Sequence, residues 1–123
     1  MLKFKFLLWA LAKLLQRAIN SKPACAAYVQ GKEQHFQIRT RDGVGRHFVL
    51  KNGKVTSRAG ITPNPQFTMT FRNASRGFAI LSAKEGKEAF LAGLHDEDLT
   101  LSGDFVELMW FQGFTEYLQP AKA

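Results

Sequence analysis

Between residues 66 and 71 polar and apolar side chains alternate without a break: Gln66, Thr68 and Thr70 against Phe67, Met69 and Phe71. A period of two belongs to a half-buried β-strand. Residues 34–41 alternate less strictly, with Phe36 and Ile38 on one side and Arg39 and Arg41 at or near the other. Residues 46–51 and 54–58 predict two more strands. Asp42-Gly43 and Asn52-Gly53 separate the three segments, and both pairs tolerate the positive φ of a tight turn. Together they predict a three-stranded antiparallel meander. Gly60 to Pro65 is a connector rich in turn residues, and residues 98–102 add a strand with Leu99 and Leu101 facing inward.

Elsewhere the period is helical. Over residues 1–20, Phe4, Leu7, Leu8, Leu11, Leu14, Leu15, Ala18 and Ile19 share one face, as the core-facing stripe of an amphipathic helix requires. Lys5, Lys13, Gln16, Arg17 and Asn20 fall opposite, and Leu2, Phe6 and Trp9 break the rule by standing among them. Large apolar groups beside lysines suit a membrane interface or a second protein. The ordinary reading is that a neighbouring element or a dimer partner covers them. Asn73 is placed to cap a helix over 74–81. A second short helix is expected over 84–94, burying Ala89, Phe90 and Leu94, and Asp104 caps a last helix running to about Leu118, before Pro120. The whole predicts an α+β chain without internal repeats, divided into an N-terminal amphipathic helix (1–22) and the remainder (23–123) of a single domain.

Composition narrows the class. The chain has 123 residues, 46% of them hydrophobic and 22% charged, which is a globular balance. No run of about 18 uncharged apolar residues is present, so a membrane-spanning helix is not expected. Residues 1–20 have the charged start of a leader, but Lys13 and Arg17 interrupt the apolar run from Phe6 to Ala12, so a retained helix is expected. The net charge is +7. Residues 1–32 carry Lys3, Lys5, Lys13, Arg17, Lys22 and Lys32 and no carboxylate, whereas residues 85–123 carry eight Asp/Glu against Lys87 and Lys122. A basic chain favours anionic partners such as a membrane surface or nucleic acid. The single cysteine, Cys25, excludes an internal disulfide and is compatible with a reducing compartment. The expected location is cytoplasmic, at the periphery of a membrane.

Catalytic chemistry is hard to find. The chain lacks CxxC, HExxH, GxSxG, a P-loop and a GxGxxG that opens a helix. His35, His47 and His95 are scattered, so no metal is expected. Cys25 lacks a recognisable His or Asp companion. Asp96, Glu97 and Asp98 read as a solvated run at the end of a helix rather than an acid–base pair. Neither an enzyme nor a cofactor is expected. Arg39, Arg41, Arg46, Lys51, Lys54 and Arg58 on the meander could hold a nucleic acid, but Phe36 and Phe48 read as inward rather than as bases for stacking, so nucleic acid is the least favoured partner.

The last helix stands apart. Phe105, Val106, Leu108, Met109, Trp110, Phe111, Phe114, Tyr117 and Leu118 are too many apolar groups for one stripe, and such a helix is buried on several sides or touches something extra. Met69 and Met109 are flexible side chains that adapt to variable apolar shapes.

The order of these elements resembles the sterol carrier protein type 2 (sterol-binding domain) family, in its stand-alone bacterial members. The matching stretches are Phe36–Asp42, Phe48–Val55, Pro65–Phe71, Gly86–Phe90 and Leu99–Asp104, and the likeness spans residues 27–118. It implies a mostly antiparallel five-stranded sheet packed with helices around an apolar tunnel. It also implies non-enzymatic binding or transfer of a fatty acyl, sterol-like or isoprenoid/quinone lipid. Inward parity and helix position nominate Phe67, Met69, Phe71, Phe78, Phe90, Leu99, Leu101, Phe105, Met109 and Phe114 as ligand-lining residues. Leu2, Lys3, Lys5, Phe6, Trp9 and Lys13 are the candidates for contact with a membrane or partner. The expected partners are an apolar lipid, an anionic membrane surface, and a protein partner or second copy. The alternative function is that of an accessory or scaffold protein in membrane-linked lipid or ubiquinone metabolism, acting through the N-terminal helix.

Overall fold

The structure, a computed structural model, describes residues 2–83 and 86–118. In chain order its elements are α1 (Leu2–Ser21), α2 (Pro23–Val29), β1 (Gln34–Thr40), β2 (Gly45–Lys51), β3 (Lys54–Ala59), β4 (Phe67–Phe71), α3 (Ala74–Leu81), α4 (Gly86–His95), β5 (Leu99–Gly103) and α5 (Phe105–Thr115), with a closing 3-10 turn at Glu116–Leu118. Lys84 and Glu85, where the sequence pattern places the start of the second short helix, lie outside the described residues.

The five strands form one sheet in the order β3-β2-β1-β4-β5. The meander pairs antiparallel, with Phe36 opposite Phe48 and Leu50 opposite Val55. The connector then carries the chain across the sheet, so β4 runs parallel to β1, with Phe36 beside Phe67 and Ile38 beside Met69. β5 returns antiparallel to β4. The sheet is thus mostly antiparallel with one parallel pair, and the architecture is α+β, as the sequence predicts. At the second hairpin both Asn52 (φ 53°) and Gly53 (φ 73°) take positive φ. At the first hairpin only Gly43 does, because the turn is longer: Thr40 N–H donates to Val44 O at 2.7 Å.

Register places Phe36, Ile38, Phe48, Leu50, Phe67, Met69, Phe71 and Leu99 on one face, all buried, and the helices cover that face. Phe4 of α1 meets Phe71 edge-on at 6.1 Å. α3 comes close to α1 through Gly77, where an added methyl group would meet the Phe4 ring at 2.5 Å. The inner side of α1 (Phe4, Leu8, Ala12, Leu15, Ala18 and Ile19) is buried in the same core as the strands. Its C-terminal half is tied to the sheet edge by Gln16, which donates to Gly53 O at 3.1 Å and accepts from Val55 N–H at 2.8 Å. The other face of the sheet is polar. There Gln37 donates to Thr68 at 3.0 Å and accepts from Thr62 N–H of the connector at 2.9 Å.

α2 is a helix that the apolar pattern does not reveal, since seven residues are too few to display a 3.6-residue period. Pro23 stands at its start, where the missing N–H has no partner to lose. Ala24, Ala26 and Ala27 are strong helix formers, and Cys25 and Val29 seat it in the core. The two predicted caps form: Asn73 accepts from Arg76 N–H at 2.9 Å, and Asp104 accepts from Val106 N–H at 2.9 Å. Before that cap, Gly103 holds φ at 106°. A Cβ there would lie 2.5 Å from Gln66 O, so only glycine lets β5 turn into α5 at this point.

Candidate functional site

The sheet-to-helix layer is an aromatic stack. Phe36 lies at its centre, parallel to Phe48 (4.8 Å between ring centres) and to Phe67 (5.1 Å). Phe111 of α5 closes over it at 4.4 Å, and Phe114 meets Phe111 edge-on at 6.3 Å. These rings fill the space in which the sequence reading places a tunnel. Two shallow concavities instead flank the ends of α1. One, of about 250 Å3, is lined by Lys3, Phe4, Ala74, Ser75 and Phe78; the other, of about 190 Å3, by Leu14, Arg17, Ala18, Ser21, Lys22, Tyr117 and Leu118. Each is smaller than the ~300–1,000 Å3 that holds a drug-sized ligand.

The nominated lining residues fall into three groups. Phe67, Met69, Phe71, Leu99 and Phe114 are buried together in the layer. Phe78, Phe90 and Leu101 are half-buried at its margin. Phe105 and Met109 stand on the outer side of α5, 69% and 55% exposed, beside Val106 at 71%. Leu108 and Phe111 take the inner places that the sequence pattern could not single out. A helix apolar on every side carries no stripe from which to read its orientation.

α5 is anchored by polar groups as well as rings. Tyr28 of α2 stacks on Trp110 at 4.8 Å and donates from its hydroxyl to Trp110 O at 2.6 Å. Lys32 pairs with Glu107 at 2.8 Å and lies 5.0 Å from the Trp110 ring centre. Gln34, wholly buried on the helix-covered face of β1, donates from Nε2 to Glu107 O at 3.0 Å and to Glu107 Oε1 at 3.1 Å. Burial raises the pKa of the Tyr28 phenol, and the neighbouring Tyr117 and Glu116 add to the rise. Burial likewise pushes the Cys25 thiol up, against a smaller opposite pull from Lys22. A wholly buried thiol held protonated is a poor nucleophile.

The outer side of α1 has a different chemistry. Leu2, Phe6 and Trp9 are 82%, 65% and 45% exposed. Phe6 and Trp9 are in ring contact at 5.7 Å, and the Lys13 ammonium sits 5.7 Å from the Trp9 ring centre. Lys3 and Lys5 are exposed on the same helix, which contains no carboxylate. Among the described residues no helix is long and apolar enough to cross a membrane, and no group of three or more His, Cys, Asp or Glu side chains is placed to hold a metal ion. The aromatics of the meander, Phe36 and Phe48, lie buried on the helix-covered face and are not presented beside Arg39 or Arg58 for base stacking.

No protein-family model and no curated protein matches the chain. Solved structures do. A ubiquinone synthesis protein, UbiJ-SCP2, superposes with a TM-score of 0.67 at 12% identity over 94% of this chain and 97% of that one. A crystal structure of sterol carrier protein 2 gives a TM-score of 0.58 at 16% identity over 92% and 96%. A sec-alkyl sulfatase contains the same fold within a much longer chain, with a TM-score of 0.55 at 16% identity over 78% of this chain and 14% of that one. The architecture of this protein is that of the sterol carrier protein 2 domain.

Proposed function

We propose that the protein binds an apolar lipid chain without chemical conversion, and that it loads and unloads this cargo at an anionic membrane surface through α1. The observation that carries the reading is the two-sidedness of α1. Its inner side is part of the layer's wall, while its outer side presents Leu2, Phe6 and Trp9 among Lys3, Lys5 and Lys13. Exposed apolar groups set among cations, with no carboxylate on the helix, suit the boundary between anionic headgroups and acyl chains. The wall of a lipid compartment would then be the element that touches the bilayer.

The layer itself supports the cargo. A lipid tail is matched in chemistry by Phe36, Phe67, Met69 and Phe111, and it enters by displacing rings and moving a helix outward. α5 suits that role, because it rests on the aromatic stack and is apolar on its outer side too. The fold shared with sterol carrier protein 2 and with a ubiquinone synthesis protein makes acyl, sterol-like and polyprenyl compounds the cargo classes to try. Among the described residues, the buried Cys25 has no partner in a recognisable nucleophile–base pattern.

Uptake of a fluorescent acyl probe, measured alongside cosedimentation with vesicles of neutral and of anionic lipid, tests the reading. The expected result is saturable uptake together with binding to anionic vesicles alone. Failure to take up the probe would remove the cargo. Uptake without vesicle binding would leave the outer side of α1 to a protein partner, as in an accessory or scaffold role.

A further inference from the structure

Gln34 is the one place where the helix-covered face of the sheet carries an unanswered polar atom among the described buried side chains. The residue is 0% exposed, and its Oε1 has no hydrogen-bond partner. The amide orientation is not arbitrary. Both atoms facing Nε2, Glu107 O and Glu107 Oε1, are acceptors, so exchanging the two ends would set oxygen against oxygen. Lys32, which pairs with Glu107 at 2.8 Å, further fixes the carboxylate in place. Gln34 Oε1 is therefore held as a free acceptor, and leaving a buried acceptor unpaired is unfavourable. Its neighbour on the same face, two residues along β1, is Phe36, the centre of the aromatic stack.

We infer that Gln34 is the polar end of the ligand site and that the cargo is an apolar lipid bearing a hydroxyl group, such as a long-chain alcohol, a sterol or a quinol. This rests on the lipid-binding reading above and adds to it the headgroup chemistry. A tail that displaces the rings beneath α5 ends next to Gln34, and only a donor there satisfies Oε1. An ether or ester oxygen cannot donate, and a carboxylate would bring a second negative charge close to Glu107. The acceptor thus selects for a hydroxyl.

The test compares dodecanol with methyl dodecyl ether, which has a similar chain and no donor, by displacement of a fluorescent acyl probe from the wild-type chain and from Gln34→Met. The wild type should bind the alcohol about tenfold more tightly, the factor that one hydrogen bond of ~1.4 kcal/mol supplies. In Gln34→Met, a change that keeps the length of the side chain, the preference for the alcohol over the ether should vanish. Equal wild-type affinity for alcohol and ether overturns the inference, and would mean that a buried water answers Oε1 instead. A preference that survives in Gln34→Met overturns it as well. The wild-type comparison decides by itself if the variant does not fold. Failure of both compounds and of the probe to bind is a different result: it removes the lipid-binding reading and this inference with it.

Discussion

α1 and α5 cover the same face of the sheet, and both leave large apolar side chains in water. Their surroundings differ. On α1 the exposed Leu2, Phe6 and Trp9 stand among lysines with no carboxylate on the helix. On α5 the exposed Phe105, Val106 and Met109 follow the Asp104 cap and flank Glu107, and no lysine or arginine lies on that helix. On the proposed reading, an anionic membrane would attract the first surface and not the second. Exposed apolar area alone does not identify a membrane-docking element; the charge around it does. The same difference separates the proposed tasks: α1 addresses the membrane, and α5 covers the cargo.

The largest effects are expected inside the layer. Phe4 and Phe111 anchor the two helices, each 4% exposed or less. Phe4→Ala and Phe111→Ala should each lower stability by about 3–5 kcal/mol, seen as a fall in the urea midpoint. If either change left the midpoint unmoved, that helix would not be part of the layer's wall. Reversing charge on the outside of α1, with Lys3, Lys5 and Lys13 all changed to Glu, should reduce partitioning onto anionic vesicles by about 100-fold or more, because each lysine near such a surface contributes ~1 kcal/mol. The urea midpoint should barely move, and unchanged partitioning would contradict the assignment of this face. Phe105→Ser combined with Met109→Ser is the matched control on α5. It should change stability by no more than about 0.5 kcal/mol per site and leave vesicle binding unaltered; loss of binding would show that the two surfaces act together.

The smallest effect concerns the junction of α1 and α2. Cys25 is raised from its ordinary value of 9.0 by burial, so the unfolded chain ionises first as the pH climbs. Stability from this group is complete below that value and declines above it. A urea midpoint that drops modestly above pH 9 in the wild type, and less in Cys25→Ala, is the expected outcome. In the native state Cys25 should resist thiol reagents and react only on unfolding.

What the sequence disclosed follows from how each element reports its environment. The strands were legible because one face of the sheet is packed and the other polar, which writes a period of two into residues 66–71. The outer residues of α1 were legible because Leu2, Phe6 and Trp9 contradict an otherwise clear stripe. α2 was not, being too short, at seven residues, to display a 3.6-residue period. The orientation of α5 was hidden for the opposite reason: with apolar groups all round, Phe105 and Met109 could not be told from Leu108 and Phe111. The role of Gln34 was equally out of reach, since its unpaired oxygen exists only once β1 and α5 are brought together.

A lipid held in the proposed layer between sheet and helices should leave the cell with the protein. The most direct test is to purify the chain without detergent, extract it with organic solvent and identify by mass spectrometry what it carries. The expected finding is a hydroxyl-bearing apolar lipid at a constant ratio to protein. An extract free of lipid, from protein that also takes up no acyl probe, would contradict it and show that the aromatic layer is a closed core.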